Sequence, residues 1–176
     1  FEWMHIKADG TPFDAEVSLA RIELAAGIFR LAMVRDISER KRLEEQLRQQ
    51  AVDAGCAEAI LIRDNSFMTE GSASNIFVVK NGTLLAPPKD NLMLPGITYD
   101  VVLELAKNAG IPHEVRKIAL AEVLGADELL LTSSTKEVLP ITTLDGKPVG
   151  SGKPGAIFAQ LYPLYQKFKH EVMRKP

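Results

Sequence analysis

The chain has 176 residues, of which 46% are hydrophobic and 25% charged, which is enough apolar material for a folded core and argues against disorder. Its formal net charge of −2 gives no electrostatic case for binding nucleic acid or an anionic membrane. The single cysteine, Cys56, excludes a disulfide framework within the chain, and we expect it to be buried. No apolar run approaches the roughly 18 residues of a membrane-spanning helix, and no signal peptide opens the chain. We therefore expect a cytoplasmic, mixed α/β protein and, since it starts with Phe1 and not Met, a piece of a longer one.

The first third of the chain is predicted to form β-hairpins. Strands are expected over residues 1–7, 12–24 and 28–37, because apolar and polar residues alternate there between Gly-containing turns. The turns are Ala8-Asp9-Gly10-Thr11 and Ala25-Ala26-Gly27. One face of the second strand would carry Phe13, Ala15, Val17 and Leu19, and one face of the third would carry Phe29, Leu31, Met33 and Arg35.

A helix is predicted next, running to about Ala54 and ending at Gly55. Asp36 or Ser38 can cap it, and Glu39 would complete a capping box with Asp36. Its apolar stripe is narrow and consists of two leucines one turn apart, Leu43 and Leu47.

The rest of the chain mixes short strands with helices. Asn81-Gly82 is a strong hairpin signal, and Thr98 is predicted to cap a helix that ends at Gly110. That helix would bury Val101, Val102, Leu105 and Ala109. Strands are predicted over residues 58–63, 67–70, 75–80, 83–86, 113–118, 128–132 and 138–144, and helices over 99–108, 121–125 and 155–172.

The run Asp36-Ile37-Ser38-Glu39-Arg40-Lys41 carries a first resemblance. Together with Phe1-Glu2-Trp3 and Ala8-Asp9-Gly10-Thr11-Pro12-Phe13, it makes residues 1–49 similar to the last three strands and the signalling helix of a PAS domain. The resemblance implies an antiparallel three-stranded β segment followed by a linker helix. The earlier strands and the cavity helices of a PAS domain have no counterpart, so no ligand pocket is implied.

Five sequence blocks carry a second resemblance. They are Gly55-Cys56-Ala57-Glu58-Ala59-Ile60-Leu61, Thr69-Glu70-Gly71-Ser72-Ala73-Ser74-Asn75, Leu94-Pro95-Gly96-Ile97-Thr98, Ala126-Asp127-Glu128 and Thr132-Ser133-Ser134-Thr135. Through these blocks, residues 54–169 resemble the C-terminal half of a class IV, fold-type IV aminotransferase, a family that includes D-amino acid and branched-chain aminotransferases. The resemblance implies an α/β (α+β) fold, a mixed sheet or pseudobarrel with helices, for a second domain over residues 50–176.

The resemblance implies pyridoxal 5'-phosphate as the cofactor, with no metal. A carboxylate stabilises the protonated pyridine nitrogen of this cofactor, and Glu70 matches that position. A phosphate suits amides at a helix N-terminus, and the sequence itself places Gly96-Ile97-Thr98 at the start of a helix. In the family the Ile97 and Thr98 amides and the Ser134 hydroxyl contact the phosphate. Of the remaining matched positions, Leu94 packs on the ring, Ser74 and Asn75 hold the Glu70 loop, and Ser133 and Thr135 bound the substrate side.

The family's catalytic lysine, which forms the Schiff base, has no evident match. Counting back from Glu70 without gaps places that position at Ser38, and a hydroxyl cannot form an imine. The nearest amine, Lys41, lies three residues further along the helix, about 4.5 Å in rise. The family's N-terminal domain is also replaced by the PAS-like segment.

Three functional hypotheses stay open at this point. The first is an aminotransferase-like protein, acting on an amino acid and a 2-oxo acid, that keeps part of the cofactor site with impaired or no activity. The second is a PAS-type signalling or dimerisation module carrying a non-catalytic aminotransferase-like domain. The third is an artificial chimera. By analogy with the family we expect a homodimer, with no nucleic-acid or membrane partner.

Overall fold

The computed structural model describes residues 2–24, 27–90 and 92–173, and the chain divides into two compact units. Unit 1 is Phe1–Gly55 and unit 2 is Cys56–Pro176. None of the described helices is long and apolar enough to cross a membrane.

Unit 1 is a three-stranded antiparallel sheet, in the order β1 (Glu2–Ile6), β2 (Pro12–Leu24) and β3 (Gly27–Asp36), followed by helix α1 (Ser38–Asp53). The three predicted strands and the helix are confirmed. Gly10 adopts φ +86° in the first turn, as that turn requires. Ala25 and Ala26 of the second predicted turn lie outside the described residues.

Burial in unit 1 differs from the expectation. Ala15 and Val17 on β2 are buried, but Leu19 is exposed, and so is every residue of β3. The alternating pattern predicts a strand correctly, but it does not supply the second layer that would cover it.

The start of α1 also differs from the prediction. Ile37 is the N-cap, no side chain caps that position, and the capping box with Glu39 is absent. Asp36 accepts the Ser38 amide at 3.0 Å, while the Ser38 hydroxyl accepts the amide of Asp14 on β2 at 3.1 Å. The Ser38 hydroxyl thus attaches the helix to the sheet, and Ser38 is the first helical residue and not the N-cap.

Unit 2 places a mixed five-stranded sheet, in the order β11-β10-β6-β7-β8, between two layers. Helices α2 and α4 pack on one face, and a small antiparallel sheet, β4-β5-β9, packs with α3 on the other. The elements are β4 (Ile60–Arg63), β5 (Phe67–Gly71), β6 (Asn75–Lys80), β7 (Thr83–Ala86), α2 (Ile97–Asn108), β8 (His113–Val115), β9 (Ile118–Ala119), α3 (Leu120–Leu124), β10 (Glu128–Ser133), β11 (Glu137–Ile141), β12 (Thr143–Leu144), β13 (Lys147–Pro148), α4 (Ala156–Phe168) and a π-helical turn (Lys169–Met173).

Strand β6 shows why this unit has a core. Its sequence is apolar on both faces, so Phe77 and Val79 join the cluster under the helices while Ile76 and Val78 join the cluster under the small sheet. A strand buried on both faces is typical of the centre of a layered α/β domain. Asn75 is the polar residue at the start of this strand.

Several predicted elements of unit 2 are corrected by the structure. The strand expected over 113–118 is broken, because β8 pairs in parallel with β7 whereas β9 pairs with β5 in the other sheet. The strand expected over 138–144 divides into β11 and β12, and the last α-helix ends at Phe168. Ala109 and Cys56, both expected to be buried, are exposed, and Ala106 takes the buried position on α2.

Candidate functional site

Asn75 is the centre of the candidate site. Its buried side-chain amide donates from Nδ2 to the Leu94 carbonyl at 3.0 Å, and its Oδ1 accepts the Gly96 amide at 2.9 Å. The antiparallel register places Thr132 opposite Asn75, and the Thr132 hydroxyl donates to the Asn75 carbonyl at 3.4 Å. Asn75 thereby connects the start of β6 with the end of β10 and with residues 94–96, the turn that precedes α2.

Glu70 holds the same turn from the end of β5. Its Oε2 accepts the backbone amide of Leu94 at 3.0 Å. Glu70 and Asn75 stand at either end of residues 71–74, which we call the 71–74 loop. The position of this loop therefore sets the position of both side chains that hold Leu94.

The N-terminus of α2 follows directly from this turn. Gly96 is the N-cap with extended backbone, and the Tyr99 amide donates to its carbonyl at 3.0 Å. The helix begins at Ile97, so Thr98 is a buried residue of the first turn, and the prediction that it caps the helix is wrong. The amides of Ile97 and Thr98 have no acceptor within the helix, and the helix dipole gives them partial positive charge. An anion is the natural ligand of such a position.

Two large apolar side chains next to these amides are exposed to solvent. Leu94 is 70% exposed and Ile97 is 79% exposed, although they adjoin the buried Asn75 network and Thr98. Exposed apolar groups next to orphan amides suit a ligand that combines a flat apolar part with an anionic part.

The hydroxyl residues lie at the end of β10 and in the turn that follows it, residues 133–136, which we call the 133–136 turn. The Ser133 hydroxyl accepts the Lys136 amide at 2.9 Å and lies 3.4 Å from the Thr135 hydroxyl. Ser134 and Thr135 are exposed. Ser133 follows Thr132, which pairs with Asn75 across the sheet, so the 133–136 turn begins next to the hydrogen-bond network of Asn75.

Glu58 is a site residue that sequence reasoning missed. Its side chain is only 7% exposed and accepts hydrogen bonds from the hydroxyls of Ser72 and Ser74, the latter at 2.8 Å. Burial raises the pKa of the Glu58 carboxyl, but these hydrogen bonds, the Ala59 amide and the Lys136 charge outweigh burial and hold it below its ordinary value. The sequence offers one signal, a glutamate between two alanines at the start of the strand predicted over 58–63, within the Gly55–Leu61 block.

Ser38 and Lys41 belong to unit 1 and are held by residues of that unit. The Lys41 ammonium lies 2.9 Å from both Glu2 and Asp14. Hydrogen bonds to these two carboxylates raise the pKa of Lys41 above its ordinary value. The amine is thus kept protonated, and a protonated amine has no lone pair for nucleophilic attack.

Comparison with known proteins agrees with this arrangement. The sequence pattern of the family described as amino-transferase class IV matches residues 40–144. The chain is 42% identical over 111 residues to a D-alanine aminotransferase of Bacillus licheniformis, covering 63% of this chain and 39% of the relative. It is 44% identical over 117 residues to one from Listeria monocytogenes serotype 1/2a, covering 66% of this chain and 39% of the relative.

Solved structures extend the likeness to the fold. A T.th. branched-chain amino acid aminotransferase, complexed with N-(5'-phosphopyridoxyl)-L-glutamate, superposes with a TM-score of 0.70 at 29% identity, over 80% of this chain and 47% of that one. The same protein was also solved with pyridoxamine 5'-phosphate. The Escherichia coli branched-chain enzyme gives a TM-score of 0.67 at 29% identity, over 76% of this chain and 44% of that one.

The matched family pattern covers more than half of this chain, and the chain spans about two fifths of the length of the curated relatives it matches. The chain belongs to the class IV aminotransferase family.

Proposed function

We propose that unit 2 is the part of a class IV aminotransferase that binds pyridoxal 5'-phosphate. The observation that carries the proposal is that Glu70 and Asn75 both form hydrogen bonds to the turn that precedes α2. These hydrogen bonds fix two free first-turn amides beside a carboxylate and an exposed leucine. The solved relatives complexed with a phosphopyridoxyl compound and with pyridoxamine 5'-phosphate support the choice of cofactor.

The donor set fits this cofactor. The amides of Ile97 and Thr98 suit the phosphate, with hydroxyls of the 133–136 turn as further donors. A Cβ added at Gly96 would lie 3.0 Å from Asn75 Oδ1, so the turn leaves little room for a larger residue there. Glu70 provides the negative charge that keeps a pyridine nitrogen protonated, and Leu94 offers an apolar surface to the ring.

In the complete family reaction an amino group passes between an amino acid and a 2-oxo acid. Bound pyridoxal phosphate supplies the electron sink for bond breaking at the α-carbon of the amino acid. With the cofactor bound, Glu70 would hold the ring-nitrogen proton, the α2 amides would bind the phosphate, and Ser133 and Thr135 would border the substrate.

We further propose that the chain binds the cofactor reversibly and does not carry out amino transfer. Counting back from Glu70 without gaps would place the family lysine at Ser38, whose hydroxyl cannot form an imine. Lys41 is a poor substitute, because Glu2 and Asp14 lie 2.9 Å from its ammonium and favour the protonated amine.

The test uses the full chain and pyridoxal 5'-phosphate in equilibrium dialysis, followed by borohydride reduction and intact mass. We expect saturable binding, full release on dialysis and no stable adduct. Asn75→Ala should bind about tenfold more weakly, since it leaves the Gly96 amide and the Leu94 carbonyl unpaired. Asn108→Ala, at the exposed end of α2, is the matched control.

Two results would overturn this reading in different ways. Absence of saturable binding by the full chain would reject the cofactor. A reduced adduct mapped to Lys41, together with amino transfer lost in Lys41→Ala, would reject the non-catalytic proposal.

A second candidate function concerns unit 1, which we propose to be a PAS-like signalling segment that dimerises through α1. Asp14 fixes the start of α1 to the sheet through its amide, carbonyl and carboxylate. Beyond that anchor, Leu43 and Leu47 lie exposed one turn apart. Light scattering on the full chain should give a dimer mass, which Leu43→Ser with Leu47→Ser reduces to a monomer. A monomeric wild type would reject this candidate.

A further inference from the structure

The Glu58 carboxylate joins three segments of unit 2 that are distant in sequence. It precedes β4, accepts the Ser72 and Ser74 hydroxyls of the 71–74 loop, and lies 3.6 Å from the Lys136 ammonium of the 133–136 turn. Lys136 also donates to the Ala57 carbonyl at 2.9 Å, which ties the turn to the same segment.

A buried carboxylate restricts which arrangements of these three segments are stable. A charge removed from water is tolerated only when charged or polar partners surround it. Glu58 has such partners on both loops, and any displacement of either loop would leave its charge without some of them. The carboxylate therefore favours one relative placement of the two loops.

Both loops carry residues of the cofactor site. The 71–74 loop lies between Glu70 and Asn75, and it is closed by the Gly71 amide donating to the Ser74 carbonyl at 2.7 Å. The 133–136 turn carries Ser133, which is bound to the Lys136 amide. Fixing these loops fixes the side chains that hold the turn before α2 and the hydroxyls beside it.

We propose that Glu58, with Lys136 as its counter-ion, is a positioning residue that sets the spacing of the 71–74 loop and the 133–136 turn and thereby the affinity for pyridoxal 5'-phosphate. The inference rests on the proposed function for the cofactor and adds a role to a residue that does not touch it.

The experiment compares Glu58→Gln and Lys136→Met with wild type in the full chain. Glu122→Gln is the matched control, because Glu122 also accepts a backbone amide and pairs with a cation, Arg116, but lies on α3. Pyridoxal 5'-phosphate affinity is measured by equilibrium dialysis, and its orientation by the circular dichroism of its visible band. Amide hydrogen exchange follows the two loops without cofactor.

We expect Glu58→Gln to weaken binding about tenfold and to change the dichroism of the bound cofactor, since it removes a charged hydrogen-bond acceptor. Lys136→Met should have a smaller effect in the same direction. Both variants should speed exchange in residues 71–74 and 133–136. Glu122→Gln should leave affinity, dichroism and exchange in these loops at the wild-type values.

The outcomes separate this inference from the function on which it rests. If wild type binds and Glu58→Gln binds equally well with unchanged dichroism, the positioning role is rejected while the cofactor proposal stands. If wild type binds nothing, the cofactor proposal fails. In that case, amide exchange of the two loops still tests the role of Glu58. Faster exchange in Glu58→Gln than in Glu122→Gln supports the view that Glu58 holds the loops in place, and equal exchange rejects it.

Discussion

Two strands of similar apolar content, the central strand β6 of unit 2 and the edge strand β3 of unit 1, have opposite surroundings. In unit 2, β6 is covered on both faces, and the Phe77 ring is fully buried with its centroid 5.0 Å from that of Tyr99. In unit 1, β3 is exposed along its whole length: Phe29 is 48% exposed to solvent and Met33 is 62% exposed. Sequence alternation and backbone pairing are therefore enough to specify a strand, whereas burial requires a second layer from elsewhere in the chain.

Unit 1 relies on polar contacts where unit 2 relies on packing. Its buried apolar residues among those described are Ala15, Val17 and Ile37. Its helix is fixed by Asp14 and by the pairing of Lys41 with Glu2 and Asp14. Partly exposed ion pairs contribute little each, so this unit should be the less stable of the two.

The largest expected effect comes from truncating matched phenylalanines. Phe77→Ala should lower the free energy of unfolding of unit 2 by about 3–5 kcal/mol, since it opens a cavity in a packed core. Phe29→Ala should cost unit 1 less than about 1 kcal/mol, because that ring is half exposed already. Denaturant-dependent hydrogen exchange, which reads the two units separately, measures both.

The same two variants can contradict the conclusion that β3 is left uncovered in unit 1. A Phe29→Ala cost similar to that of Phe77→Ala would mean that the face of β3 is covered in solution by a second molecule. Light scattering on the same samples would then identify self-association as the cause.

Much of the backbone could be predicted because the local signals were strong. Asn81-Gly82 turns with positive φ at both residues, and the bounds of β6 and β7 follow the predicted runs. The prediction failed where tertiary contacts decide. Residues 113–118 resemble one strand in sequence but divide between two sheets. Thr98 resembles a cap, but Asn75 fixes the turn two residues earlier, at Gly96, which is the N-cap.

The candidate site was predictable only as a set of positions. Family blocks pointed to Glu70, Asn75 and the start of α2, and the structure links these through Leu94 and Gly96. Glu58 was not singled out, because its importance comes from hydroxyls 14 and 16 residues away. A pattern of side chains around one buried charge has no periodicity for sequence reasoning to detect.

A smaller effect on stability is expected at the ion pairs that hold α1 on the sheet of unit 1. Lys41→Met keeps the aliphatic stem but removes the charge between Glu2 and Asp14. We expect a loss of about 1 kcal/mol in the local stability of α1, seen as roughly fivefold faster amide exchange at neutral pH. Arg42→Met, exposed on the same helix, is the control. Equal exchange in the two variants would mean that sheet pairing and the Asp14 backbone contacts alone hold the helix.

The smallest effect is expected at the corresponding ion pair of unit 2, and it depends on pH. Hydrogen bonds from Arg116 and the Ala119 amide lower the pKa of Glu122 to about 2, from an ordinary value of 4.5. Because the folded-state pKa is lowered, the contribution of Glu122 is complete above pH 4.5 and is lost as pH falls from 4.5 towards 2. Solvent screens this pair, so Glu122→Gln should flatten the fall in stability across that window by less than about 1 kcal/mol. Urea unfolding at several acid pH values measures the slope, with Glu104→Gln on the exposed side of α2 as control. A slope unchanged by Glu122→Gln would mean that Glu122 does not contribute to the pH dependence of stability and that its pairing with Arg116 does not stabilise unit 2.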